Sequence, residues 1–115
     1  MYKSLVARAG DEFVFALVPA ASELSLKKLA SAAGAKHAAM ANPRDAERVT
    51  GYQVGGISPL GSRRRLRVFL DSGAERFDRV CLNAGNRGHI VEVATADLVT
   101  ATGALVHDLR TTHGG

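Results

Sequence analysis

A chain of 115 residues with 46% hydrophobic and 23% charged residues has the composition of one globular domain and is too short for two independent cores. Its net charge of +4 and pI near 9.7 favour an anionic partner, although the imbalance also suits a domain with no special partner. The one cysteine, Cys81, rules out an intrachain disulfide or a multi-cysteine metal site, and no stretch approaches the ~18 apolar residues of a membrane span.

Lys3, Arg8, Asp11 and Glu12 interrupt the region where a secretory signal needs an apolar run, so a cytoplasmic location is expected. Residues 2–9 and 12–18 are two runs rich in Val, Leu and Phe around Gly10-Asp11, and they predict an N-terminal hairpin ended by Pro19. Lys3 falls inside the first run, where an amine must reach solvent or an anion. Ser25 is positioned to cap a helix with apolar residues at Leu26, Leu29, Ala30 and Ala33; Lys27 and Lys28 fall on its polar face and Gly34 stops it. Asn42-Pro43-Arg44-Asp45 is a second helix start: Asn42 can accept an orphan amide, Pro43 has no amide to satisfy, and Asp45 sits near the positive helix end. That helix is predicted to stop at Gly51.

Arg63, Arg64 and Arg65 lead into a β-type run over 66–70, and Asp71-Ser72-Gly73 turns the chain. With Arg67, these arginines offer a phosphate-facing rim, although consecutive strand residues alternate faces. Strands are expected over 79–82, where Cys81 reads as a buried inert thiol, and over 90–93. The turn Asn83-Ala84-Gly85-Asn86-Arg87-Gly88 joins them. Thr95 is expected to cap a helix over 96–102 that ends at Gly103, a last strand is placed over 105–109, and 111–115 reads as a frayed tail. Short strands mixed irregularly with short helices make the fold class α+β.

Residues 50–61, Thr-Gly-Tyr-Gln-Val-Gly-Gly-Ile-Ser-Pro-Leu-Gly, hold four of the twelve glycines. Such a loop gives up backbone entropy, usually to allow a tight turn or the close approach of another group. The spacing from Gly56 to Gly61 matches the opening of a phosphate loop, but Ser62-Arg63 stands where Lys and Ser or Thr are required. A dinucleotide fingerprint fails because a helix precedes the loop. Ser58 lacks the Gly-x-Ser-x-Gly setting of a nucleophile elbow, and His37, His89, His107 and His113 show no metal-ligand spacing, so neither a triad nor a metal nor a cofactor is assigned. The remaining chemistry belongs to the backbone, whose adjacent glycine N–H groups can face a carbonyl oxygen or a phosphate. The alternative is that the glycines only make turns.

Thr50-Gly51-Tyr52-x-x-Gly55-Gly56-x-Ser58-Pro59-x-Gly61, with Lys3-Ser4-Leu5-Val6 before it and Gly85-Asn86-Arg87-Gly88 after it, resembles the prolyl-tRNA editing family of YbaK-like deacylases. The resemblance covers nearly all of residues 2–104. It implies an α+β fold with a mixed, partly barrel-like β-sheet and short flanking helices, forming a single domain over 1–110. It also implies hydrolysis of the ester that joins a wrong amino acid to tRNA, with water attack assisted by the substrate's own 2′-hydroxyl and no cofactor. By similarity, Lys3, Gly55, Gly56 and Ser58 are the catalytic group: Lys3 contacts the terminal nucleotide or its phosphate, and the other three position the aminoacyl group and the water. Gly51, Tyr52, Ile57, Pro59, Gly85, Arg87 and Gly88 are the substrate-binding positions, and the partner is the 3′ end of a mischarged tRNA.

The family usually carries helices and one wall of the aminoacyl pocket ahead of the first strand. With Met1 directly before that strand, this wall is expected to be missing, which leaves a homodimer as one way to cover exposed core. Ile90 stands where some active members have a carboxylate. A non-hydrolytic module for a tRNA end or nucleotide, and a protein-interaction domain, are the competing readings.

Overall fold

The N-terminal hairpin forms as the alternation requires: β1 (Tyr2–Ala9) pairs antiparallel with β2 (Glu12–Pro19) in a register that sets Lys3 opposite Val18 and Val6 opposite Phe15. The computed structural model describes residues 1–51, 66–83 and 90–111. Both faces of the hairpin are buried. Tyr2, Val6, Phe15 and Leu17 enter one core; Ala7, Ala9, Val14, Ala16 and Val18 enter another.

From β2 the chain passes through α1 (Leu26–Ala33) to β3 (Ala38–Met40), a short strand antiparallel to the Ala7–Ala9 end of β1. The Ser25 side chain accepts a hydrogen bond from Lys28 N (3.1 Å), and Gly34 takes the left-handed conformation (φ 76°) that lets a helix end turn back. Leu29, fully buried, presses α1 onto the second core. Next comes α2 (Pro43–Thr50), capped by the Asn42 side chain, which accepts from Asp45 N (2.8 Å); it buries Ala46 and Val49 in the first core. These two helices therefore begin on the residues whose side chains can hold the first-turn amides.

Two later strands enter in parallel. β4 (Arg67–Asp71) lies beside β2, and β7 (Leu105–His107) lies beside β4. A 3-10 helix (Ser72–Arg76), β5 (Arg79–Asn83), β6 (Ile90–Ala94) and α3 (Thr95–Thr102) connect them. The main sheet has the order β3-β1-β2-β4-β7, whereas β5 and β6 pair only with each other in a second sheet, among the described residues. Val80 and Leu82 of β5 join Tyr2, Val6, Leu17 and Leu70 in the core between the sheets.

This arrangement corrects the expectation of a partly barrel-like sheet. The fold is mixed α+β with two open sheets. Closure needs hydrogen-bond pairing that continues around the circle. Among the described residues β3 and β7 each pair on one side only, and β5 meets β1 through packed side chains with no ladder between them. Thr95 is a smaller correction. Ala94 occupies the cap position of α3, while the Thr95 hydroxyl donates to the Phe77 carbonyl oxygen (2.7 Å) and ties the helix to the chain before β5.

One end of the main sheet is fixed by a buried carboxylate. Asp71, fully buried, accepts from Gly73 N (3.0 Å) and Leu109 N (2.9 Å), so a single side chain joins the end of β4 to the segment after β7. Arg110 Nε lies 3.2 Å from Asp71 Oδ2, near enough for an ion pair though poorly aimed for a hydrogen bond. The Tyr2 phenol is held above its ordinary pKa by burial and then by the Asp71 charge. At the opposite end, Arg67 donates through Nε and Nη2 to the two carboxylate oxygens of Glu12 (2.8 and 2.6 Å) and from Nη2 to the Ala33 carbonyl (3.0 Å). Arg67 is therefore committed to the fold and takes no place in a phosphate rim.

Candidate functional site

Strand alternation decides where Lys3 points. Its side chain shares a face with Leu5, Ala7 and Ala9 and sits opposite Val18, and this is the face that α1 covers. Lys3 is partly buried, and among the described residues its amine makes no hydrogen bond or ion pair. A cation set into a strand without a carboxylate beside it has its charge available for an external anion.

Ser4 points the other way, into the core between the sheets beside Tyr2, Val6 and Leu17. Its hydroxyl is buried without a hydrogen-bond partner among the described residues. The sequence reading gave Ser4 no role, although its place next to Lys3 on a strand already fixed it to the opposite face.

Gly51 ends α2 in the left-handed conformation (φ 80°), with its N–H donating to the Glu47 carbonyl (2.8 Å). A side chain there would be strained, so glycine lets the helix end and the next segment leave in a new direction. Thr50 is buried, and its hydroxyl donates to the Ala46 carbonyl (2.6 Å), which fixes the last turn. Of the predicted site residues, then, the structure places Lys3, within the main sheet on β1 with its side chain toward the α1 face, and Gly51, at the end of α2 against the other face. Tyr52, Gly55, Gly56, Ile57, Ser58, Pro59, Gly85, Arg87 and Gly88 lie outside the described residues, as do Arg63, Arg64, Arg65 and His89.

The remaining candidates for chemistry resolve simply. Cys81 is half-buried in β5, opposite Glu92 of β6. His107 closes β7, with its ring 6.2 Å from that of Phe69. Among the described residues no group of three His, Cys, Asp or Glu side chains could hold a metal ion, and no helix is long and apolar enough to cross a membrane.

A mixed α+β domain of two open sheets, with a first-strand lysine unpaired among the described residues and a glycine-rich sequence following a helix end, is the class that fold and site define together. The chain belongs to the aminoacyl-tRNA editing domain family, whose model matches residues 1–101. It is 35% identical over 98 residues to a protein of Enterococcus faecalis named "Putative Cys-tRNA(Pro)/Cys-tRNA(Cys) deacylase EbsC", covering 85% of this chain and 60% of that one. It is 34% identical over 103 residues to the "Multifunctional Ser/Thr-tRNA deacylase ProXp-y" of Escherichia coli K12, covering 88% of this chain and 62% of that one. A solved structure described as "a putative trans-editing enzyme for prolyl tRNA synthetase" superposes with a TM-score of 0.89 at 27% identity, over 96% of this chain and 70% of the other. The chain thus spans about three fifths of the length of these curated relatives.

Proposed function

We propose that this domain is a trans-editing aminoacyl-tRNA deacylase, acting in the cytoplasm on the ester between a wrong amino acid and the 3′-terminal ribose of a tRNA. The observation that carries the reading is the Lys3 amine, partly buried in β1 and unpaired among the described residues, in a chain of the editing family. The relatives are named for Cys-tRNA(Pro), Cys-tRNA(Cys) and Ser/Thr-tRNA, and these are the first substrates to test.

The reaction divides into positioning and charge stabilisation. An ordinary lysine is protonated at neutral pH, which suits Lys3 to hold a terminal phosphate and makes it a poor general base. Water adds to the ester carbonyl carbon, its proton passing by way of the adjacent ribose 2′-hydroxyl. The carbonyl oxygen gathers negative charge and accepts hydrogen bonds donated by the backbone N–H groups of Gly55 and Gly56. Such a donor is worth roughly 3–4 kcal/mol where it has been measured. The C–O bond to the ribose then breaks, releasing the amino acid and a tRNA with a free hydroxyl. Ser58 orients the water in this scheme, and Gly85, Arg87 and Gly88 contact the nucleotide end.

The test is a deacylation panel over mischarged tRNAs with the wild type and Lys3→Ala. Wild type should release amino acid from at least one member, and Lys3→Ala should lose on the order of 100-fold in kcat/KM while remaining folded, the scale of a misplaced substrate. A wild type inactive on the whole panel overturns the deacylase reading. A fully active Lys3→Ala overturns the role of the lysine.

A further inference from the structure

Alongside α1 runs an open groove of about 570 Å³. Its floor includes Leu26, Ala30 and Ala38, and its rims carry Lys27 on the helix and Lys36 and His37 on the segment leading into β3. All three rim residues are exposed, and no carboxylate lines the groove.

The pairing pattern separates these cations from most others in the fold. Ion pairs among the described residues occupy Arg8, Lys28, Arg48, Arg67, Arg79 and Arg110, whereas Lys27 and Lys36 join none. The contrast between neighbours is sharp. Lys28 donates to Asp108 (2.8 Å) and to the Arg110 carbonyl (2.7 Å), and so is spent on tying α1 to the C-terminal segment. Lys27, one position back and about 100° around the helix, turns onto the groove.

The second rim is held by backbone bonds. Ala35 N donates to the Ala30 carbonyl (2.9 Å), and Gly10 N donates to the His37 carbonyl (3.0 Å), so Lys36 stands between two anchored residues. A segment fixed in this way presents its charges with little ordering cost on binding. The groove also lies over the α1 face of the main sheet, the face to which Lys3 projects. Lys3 and Ala9 mark the two ends of β1, about 20 Å apart at ~3.3 Å per residue, a span that a few nucleotides cover.

We infer that the Lys27–Lys36 groove binds the sugar-phosphate backbone of the tRNA next to its aminoacylated end, so that one face of the sheet carries both the reacting terminus and the strand leading to it. The proposal rests on the deacylase reading for the identity of its RNA. Two lysine contacts confer no sequence preference; they add affinity that falls with salt.

The experiment compares wild type with the double variant Lys27→Ala/Lys36→Ala on full-length mischarged tRNA and on the corresponding aminoacyl trinucleotide, from low to moderate salt. The variant should show KM for full-length tRNA raised about tenfold, an unchanged kcat, and a log–log salt dependence shallower by about 1.4–1.8 for two lost phosphate contacts. Trinucleotide hydrolysis should be unaffected, and Lys27→Arg/Lys36→Arg should restore tRNA binding. Unchanged KM and salt slope, or an equal loss on the trinucleotide, overturns the groove. If the wild type hydrolyses neither substrate, the deacylase reading fails separately. Direct binding of uncharged tRNA then decides the groove, by whether the double alanine variant loses affinity and salt slope.

Discussion

The two faces of the main sheet are closed in different ways. One is covered by a second sheet and by α2 and α3, and Phe15, Leu17, Leu70, Val80, Leu82 and Leu98 meet there from several directions. Among the described residues, the other is covered by the eight-residue helix α1, with Leu24 and Leu109 beside it; the helix is anchored through Leu29 and tied at its ends by Lys28 and by the Arg67–Ala33 bond. This cover is narrow, and a groove remains beside the helix. The face with less cover is also the one that receives Lys3. Stability thus concentrates between the sheets, and open, charged surface concentrates beside the helix.

Truncation tests this contrast most strongly. Leu17→Ala removes a fully buried side chain from a central strand packed on both sides, and should cost about 4 kcal/mol; Leu29→Ala, on a helix beside an open groove, should cost about 2 kcal/mol. Chemical denaturation of both variants measures the difference, and equal costs would remove the distinction between the faces. Next is Asp71→Ala, expected to cost about 3 kcal/mol in the same assay, because the Gly73 and Leu109 amides and the Arg110 guanidinium all lose their partner.

The smallest effect lies at the other end of the sheet, where Glu12 and Arg67 are each about two fifths exposed (43% and 41% of the side chain). The Arg67 hydrogen bonds hold the Glu12 carboxyl below its ordinary pKa. Its contribution is therefore fully present above the unfolded carboxylate range and is lost as pH falls through the lower, folded value. Solvent screening keeps it under about 1 kcal/mol. Glu12→Gln should lower Tm slightly at pH 7 and match the wild type in strong acid; a gap that persists there would assign the effect to packing.

Local signals carried much of the fold. Ser25, Gly34, Asn42 and Gly51 marked the ends of α1 and α2 because capping is chemistry between near neighbours in sequence. The hairpin was legible for the same reason. β3 was not: Ala38-Ala39-Met40 has no β-branched or aromatic residue and is a strand only because the Ala7–Ala9 edge pairs with it. Nor was the openness of the sheets, since closure depends on whether distant edges meet. In the candidate site, Lys3 stood out as an amine in an apolar run, but the groove did not. Lys27 and Lys28 look alike in sequence, and only the position of Asp108, eighty residues away, separates a structural lysine from an available one.

The Gly10-Asp11 turn of the β1–β2 hairpin has a consequence of its own. Two residues there set the phase of the first strand, and in a strand phase decides address: Lys3 goes to the groove face and Ser4 to the inter-sheet core. One inserted residue that slipped the ladder by a single position would exchange them, sending an ammonium into the inter-sheet core and a small hydroxyl to the groove face. A turn far along the strand from Lys3 thus works as the site's spacing gauge. Loop-length variation tolerated elsewhere on the surface should be resisted there.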